Sequence, residues 1–213
     1  MDERDLAGMR AQATELGQVA VVLAAAGHDP ASTRVADGDR LLLALHRELT
    51  GQDLELALAC PACATVSAVR LGPDTVPAVR PRSAVLGVRG GLRQPTYADL
   101  AGLPADGTGD AVLLRRCVVG DPAREPSAAD FVLIDDSLVG PLVFACAGCG
   151  ADVEEPIDLQ SLLLRALLRV LDGLDAEVHL LASAYGWDLA TIEALPRERR
   201  RRFAALIADG AGR

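Results

Sequence analysis

Residues 59–64 read ACPACA, and residues 145–150 read ACAGCG. Each stretch separates two cysteines by two residues, and each is flanked by short apolar runs that predict a β-hairpin with the cysteines at its tip. Two such tips that face each other place four sulfurs around one point, as a structural zinc site requires. The sequence therefore predicts one structural zinc ion bound by Cys60, Cys63, Cys146 and Cys149.

Two other interpretations of these cysteines stay open. In the first, the cysteines are free thiols that pack as small apolar side chains. In the second, one pair has redox activity. A redox pair usually has its first cysteine at a helix N-terminus, whereas both pairs here are predicted to lie between strands. The long insertion between the pairs weakens the zinc interpretation, because compact zinc ribbons space their pairs more closely. The residue that follows the second cysteine of each pair favours a positive φ angle. Gly150 adopts such an angle freely, whereas Ala64 does not. Cys117 stands alone in a helical pattern and is predicted to be a core residue.

The surrounding sequence predicts an α+β fold. Zinc-ribbon-like hairpins form a core over residues 38–157, and a small α/β region, 72–141, is inserted between them. Residues 158–213 are predicted to be a helical C-terminal region, and residues 1–37 a partly mobile N-terminal segment. The predicted local elements are helices at 16–26, 39–49, 110–119, 127–138, 158–185, 188–192 and 198–208, a strand at 84–92 and a loop at 32–38.

The residue types that enzymes need are not grouped in this sequence. Four thiolates close the zinc coordination shell, whereas a catalytic zinc keeps one position open for water. The three histidines are scattered, and no nucleophile elbow, Walker loop or dinucleotide-binding motif is found. We therefore expect a protein that is not an enzyme.

The overall charge restricts the partners. The chain has 213 residues, a formal net charge of −9 and only 3% aromatic residues, which argues against general binding to nucleic-acid phosphates. The first residues, MDERD, are acidic where a secretory signal has a basic start. The apolar run Val19–Ala26 is too short to cross a bilayer. We expect a cytoplasmic protein with reduced cysteines and no membrane partner.

The last helix begins with a basic run, RERRRR at residues 197–202. It is interpreted as a solvated helix face, with Phe203, Leu206 and Ile207 packing inward. The alternative is a binding surface for an acidic partner or for nucleic acid.

Several stretches together resemble a known family. They are LELALACPAC at 54–63, RQPTYADL at 93–100, the second cysteine pair, and EVHLLASAYGW at 177–187 followed by IEALP at 192–196 and the arginine run. Over residues 38–208 the chain resembles baseplate proteins and baseplate hub assembly chaperones of tailed phages and contractile injection systems.

This resemblance implies a non-enzymatic role in the baseplate or hub of a phage-tail-like particle or its assembly intermediate. The partners it implies are other baseplate, hub or spike proteins. It also implies that the segment containing Tyr185, Trp187, Ile192 and Leu195 binds a partner. Two different functions remain as alternatives, a zinc-ribbon protein that binds nucleic acid or regulates, and a thiol redox protein.

Overall fold

The computed structural model describes residues 3–74, 83–85, 90–135 and 137–211. Helices and small antiparallel hairpins make up this part of the chain, which confirms the predicted α+β class. A 3-10 helix, Glu3–Ala11, comes first. The α-helices are α1 (Glu15–Ala25), α2 (Val35–Thr50), α3 (Tyr97–Leu100), α4 (Gly109–Arg116), α5 (Ala128–Val132), α6 (Leu159–Tyr185), α7 (Leu189–Glu193) and α8 (Arg197–Ala211). The strands are β1 (Leu54–Ala59), β2 (Val66–Leu71), β3 (Ser83–Val85), β4 (Gly90–Arg93), β5 (Val118–Gly120), β6 (Val139–Ala145) and β7 (Asp152–Asp158).

Two compact units divide the chain, Met1–Ala166 and Leu167–Arg213. The division falls inside α6, whereas the sequence placed the start of the helical region at residue 158. That position is where β7 ends and α6 begins, and Asp158 caps the helix by accepting the backbone N–H of Ser161. None of the described helices is both long enough and apolar enough to span a membrane.

The N-terminal segment is built into the first unit. Leu6, Met9 and Val19 have no exposed side-chain surface, so the 3-10 helix and α1 pack into this unit. The predicted loop at 32–38 is wrong beyond Arg34, because α2 already begins at Val35. The Val35 N–H donates to the Pro95 carbonyl, a long-range contact that fixes the helix start.

Two hairpins carry the cysteine pairs. Strand β1 pairs with β2, and β6 pairs with β7, both antiparallel. In the first hairpin the Cys60 N–H donates to the Thr65 carbonyl, and in the second the Cys146 N–H donates to the Ala151 carbonyl. In both hairpins, therefore, the first cysteine of the pair belongs to the hydrogen-bonded residue pair next to the turn.

The inserted region forms a small sheet, β3-β4-β5, with short helices around it. Its core contains Leu92, Cys117 and Ile134, and the prediction of Cys117 as a core residue is confirmed by its zero exposure. The prediction of one strand at 84–92 is wrong, because its two ends lie in β3 and β4, which pair antiparallel with each other; residues 86–89 lie outside the described residues. The predicted helix at 110–119 ends early at Arg116, because Val118 joins the sheet beside Leu92. The helix predicted toward Leu138 ends at Val132.

A buried carboxylate connects the second hairpin to helices α2 and α6. Asp39, in α2, has no exposed surface. It accepts the backbone N–H of Leu138 at 2.9 Å and the side-chain amide of Gln160 at 3.1 Å. Gln160 also donates to the Tyr97 hydroxyl at 2.8 Å. This network fixes the entrance to β6 and thereby the position of the second cysteine pair.

Candidate metal centre

The four predicted cysteines meet at one place. Their sulfur atoms all lie within 4.8 Å of one another, with Cys60 Sγ 3.8 Å from Cys149 Sγ and Cys63 Sγ 3.6 Å from Cys146 Sγ. All four are free thiols, since a disulfide has its sulfurs about 2 Å apart. A tetrahedron with zinc–sulfur bonds of about 2.3 Å has sulfurs separated by about 3.8 Å. The spacing thus fits a single metal ion bound by four thiolates.

The two hairpin tips are built alike. In each, the N–H four residues after the first cysteine donates back to the carbonyl of that cysteine, from Ala64 to Cys60 at 2.8 Å and from Gly150 to Cys146 at 2.9 Å. Both donors have a positive φ, 59° at Ala64 and 72° at Gly150. This turn curls the backbone around the first cysteine, so both thiols of each pair lie on the same side of the tip.

Two contacts outside the sulfur cluster also join the hairpins. The backbone N–H of Ala147, in the second tip, donates to the hydroxyl of Ser67 in β2 at 3.2 Å, and Ser67 is buried. Gly148 lies against Thr65, where an added Cβ would come within 2.4 Å of Thr65 Oγ1. No local sequence pattern singles out Thr65, Ser67 or Gly148, because each acts through a contact between residues distant in the chain.

The inner half of the cluster is buried and the outer half is exposed. Cys60 and Cys146 are buried with Val153, and Phe144 packs against them. Cys63 and Cys149 face solvent. The apolar side excludes water from two of the sulfurs, while the exposed side gives a metal ion a path to the cluster.

Backbone amides favour thiolate at the cluster. The N–H groups of Cys149 and Gly148 lower the pKa of Cys146 to about 6, with the Gly148 nitrogen 3.3 Å from the sulfur. The Thr65 side chain is the main cause of the lowered pKa of Cys63. At Cys149 the Ala151 amide lowers the pKa, but the thiols of Cys63, Cys146 and Cys60 together with desolvation raise it to about 11. Crowded thiolates of this kind repel one another unless a cation lies between them.

The donor set selects the class of metal. Four thiolates in a tetrahedral arrangement suit soft or borderline ions and do not suit magnesium or calcium, which take oxygen ligands. Within the described residues this is the one group of His, Cys, Asp and Glu side chains close enough to hold a metal ion. The histidines are not part of it, in agreement with the sequence analysis.

The residues predicted to bind a partner lie in the second unit. The rings of Tyr185 and Trp187 stack with centroids 4.7 Å apart, and Phe203 packs edge-on against both. Ile192 is fully buried, so its side chain is not on the surface. Tyr185 is 42% exposed, and Leu195 and Trp187 are partly buried. Of the four residues, Tyr185 has the most accessible side chain.

The arginine run is only in part the solvated face that was predicted. Arg200 is buried and donates to the Leu195 carbonyl at 3.1 Å. Arg200 and Arg201 pair with Glu177 at 3.8 and 3.5 Å. The prediction that Leu206 packs inward is wrong, since it is 54% exposed, whereas Phe203 is partly buried.

Comparisons with family models, with curated proteins and with solved structures find no match to this chain. The resemblance to baseplate proteins therefore stays a prediction, and the assignment of the site rests on its geometry.

Proposed function

We propose that Cys60, Cys63, Cys146 and Cys149 bind one structural zinc ion, and that the protein is a non-enzymatic structural or assembly component of a contractile phage-tail-like injection system. The observation that carries the zinc proposal is the meeting of two equivalent hairpin tips with all four sulfurs within 4.8 Å. When bound, zinc would supply a fixed cross-link between residues that are 83 and 89 positions apart in the chain.

A structural role fits the cluster better than a catalytic one. All four ligand positions are filled by thiols, so a bound ion has no free position for water or substrate. The surroundings of the cluster also favour a structural role, because its buried half is lined by the apolar residues Val153 and Phe144.

The placement in a baseplate or hub rests on the sequence resemblance. The hairpins and their metal would act as a rigid core, while Tyr185 and Leu195 present side chains for a partner on the second unit. Neighbouring baseplate, hub or spike proteins are the partners in this proposal.

No specific observation favours the nucleic-acid alternative. The arginines that a nucleic-acid surface would use, in the first hairpin and in the sequence after it, are partly paired: Arg70 with Glu55 at 2.9 Å and Arg93 with Asp99 at 2.6 Å. Arg80, Arg82 and Arg89 lie outside the described residues. The paired arginines are partly neutralised, which weakens their attraction for phosphates.

The proposal is tested by purifying the tagged full chain from cells that produce the particle, and by measuring both metal content and co-purifying proteins. We expect stoichiometric zinc and baseplate, hub or spike proteins in the eluate. Cys60→Ser should reduce zinc to well below one ion per chain, whereas Cys117→Ala, at a thiol outside the cluster, should retain it. Zinc without particle proteins would reject the baseplate role, and particle proteins without zinc would reject the metal site.

A further inference from the structure

A groove of about 370 Å³ lies between β1 and β7, with α6 beside it. Consecutive residues of each strand line the groove, 56–58 of β1 and 155–158 of β7. Successive side chains of a strand point to opposite faces, so lining by consecutive residues indicates a groove that runs beside the backbone edges of both strands. Among the described residues, β1 pairs with β2 alone and β7 with β6 alone.

The pattern of hydrogen bonds within the first hairpin shows which N–H and C=O groups of β1 point away from β2. Cys60 and Thr65 form a hydrogen-bonded pair. Hydrogen-bonded and non-hydrogen-bonded pairs alternate along an antiparallel hairpin. Ala57 and Ala68, three positions further along the register, therefore form a non-hydrogen-bonded pair. The N–H and C=O of Ala57 therefore point away from β2, along the edge that borders the groove. Ala57 is exposed and lines the groove, and among the described residues no strand pairs with this edge.

The edge of β7 is different. In the second hairpin Cys146 and Ala151 form a hydrogen-bonded pair. By the same alternation, Pro141 and Pro156, which lie opposite each other, form a non-hydrogen-bonded pair. Pro156 borders the groove but has no N–H to offer. Proline on an edge strand prevents regular pairing. Of the two edges, β1 is thus the one able to accept a strand.

The side chains of the groove select the chemistry of that strand. Leu56, Leu58 and Leu162 form an apolar part. Glu155 and Asp158 give the β7 side a negative charge, and β7 also contains Asp152 and Glu154 but no basic residue. Arg165 is the basic residue in the lining. An apolar segment with lysine or arginine side chains complements this surface.

We propose that the groove binds an extended, basic and apolar segment of a partner protein, which pairs as an added strand with the edge of β1 at Ala57. The main-chain hydrogen bonds give affinity, and the apolar and acidic parts of the groove select the side chains. This inference does not depend on the identity of the metal or on the baseplate role.

The test uses the metal-loaded full chain and a fluorescent, N-acetylated hexapeptide of alternating lysine and valine, with binding measured by fluorescence anisotropy. Ala57→Pro removes the N–H that faces the groove without removing a bond to β2. The matched control, Ala68→Pro, makes the same change at its exposed register partner on the other edge of the hairpin. We expect Ala57→Pro to weaken binding by about tenfold or more and Ala68→Pro by no more than about twofold.

Further peptides separate strand addition from charge attraction. Methylation of alternate backbone nitrogens of the hexapeptide should abolish binding, and replacement of lysine by glutamate should weaken it by about tenfold or more. The proposal is overturned if the lysine peptide does not bind, if the methylated or glutamate peptide binds equally well, or if both proline variants lose binding equally. Self-association of the wild-type chain that Ala57→Pro abolishes would assign the groove to a second copy and would also overturn the proposal.

Discussion

Ala64 and Gly150 occupy equivalent positions in the two hairpin tips, four residues after Cys60 and Cys146, and both adopt a left-handed backbone conformation. Their φ angles are 59° and 72°, and their N–H groups donate to the carbonyl of the first cysteine in each tip. Ala64 is the one non-glycine residue with a positive φ among those the structure describes. The first tip therefore holds an alanine in a conformation that costs roughly 1–2 kcal/mol relative to the right-handed region.

Ala64→Gly should stabilise the protein. Glycine relieves the left-handed strain but loses more conformational entropy on folding, so we expect a net increase in the free energy of unfolding of about 0.5–1 kcal/mol. Chemical denaturation of the metal-loaded protein measures it. Gly150→Ala serves as the mirror experiment and should destabilise by about 1 kcal/mol. A destabilising effect of Ala64→Gly would show that the shared turn geometry is not under strain.

Gly148→Ala should disturb the contact between the tips. Its Cβ would lie 2.4 Å from Thr65 Oγ1 and 2.9 Å from Thr65 Cβ, closer than unstrained packing allows. We expect a destabilisation of about 1–3 kcal/mol and weaker metal retention against a chelator.

Thr65→Ala removes two of the three close Thr65 atoms and should partly restore the stability of Gly148→Ala in the double variant. A double-mutant cycle by thermal denaturation gives the coupling. Additive effects of the two changes would contradict the direct contact.

The buried Asp39 should make stability depend on pH. Desolvation raises its pKa to about 6, with Asp135 and Asp158 adding to the effect and the Leu138 N–H and Gln160 amide opposing it. Because the folded-state pKa lies above the ordinary value, the protonated carboxyl contributes stability below about pH 4, and this contribution is lost as the pH rises through 6.

Asp39→Asn removes this titration. Relative to the wild type, the variant should gain up to about 3 kcal/mol in the free energy of unfolding between about pH 4 and pH 7. Asp99→Asn is the matched control. The Arg93 side chain is the main cause that lowers the Asp99 pKa to about 2, so the difference between that variant and the wild type should be constant over the same range. Parallel pH profiles of Asp39→Asn and the wild type would contradict the assignment.

The cluster was predictable because its chemistry is local. Each cysteine pair supplies two ligands through a spacing visible in the sequence, and glycine at 150 accepts the turn that such a tip needs. The same spacing predicts a left-handed turn after the first pair, and the structure has that turn at Ala64 although alanine disfavours it.

The errors in the predicted elements arose where distant residues decide the local structure. Helix α2 begins at Val35 because the Val35 N–H donates to the Pro95 carbonyl. Helix α4 ends before Cys117 because the next residues form β5, in which Val118 pairs with Leu92. The contacts that align the two tips, Ala147 with Ser67 and Gly148 with Thr65, likewise join parts of the chain that no local pattern connects.

X-ray absorption spectroscopy on the full chain as purified, combined with metal quantification, tests the central claim most directly. We expect one zinc ion per chain with four sulfur neighbours at about 2.3 Å and no nitrogen or oxygen neighbour. A shell containing nitrogen or oxygen, or a protein with no bound metal and four thiols that react freely, would contradict the joining of the two hairpins by a single ion.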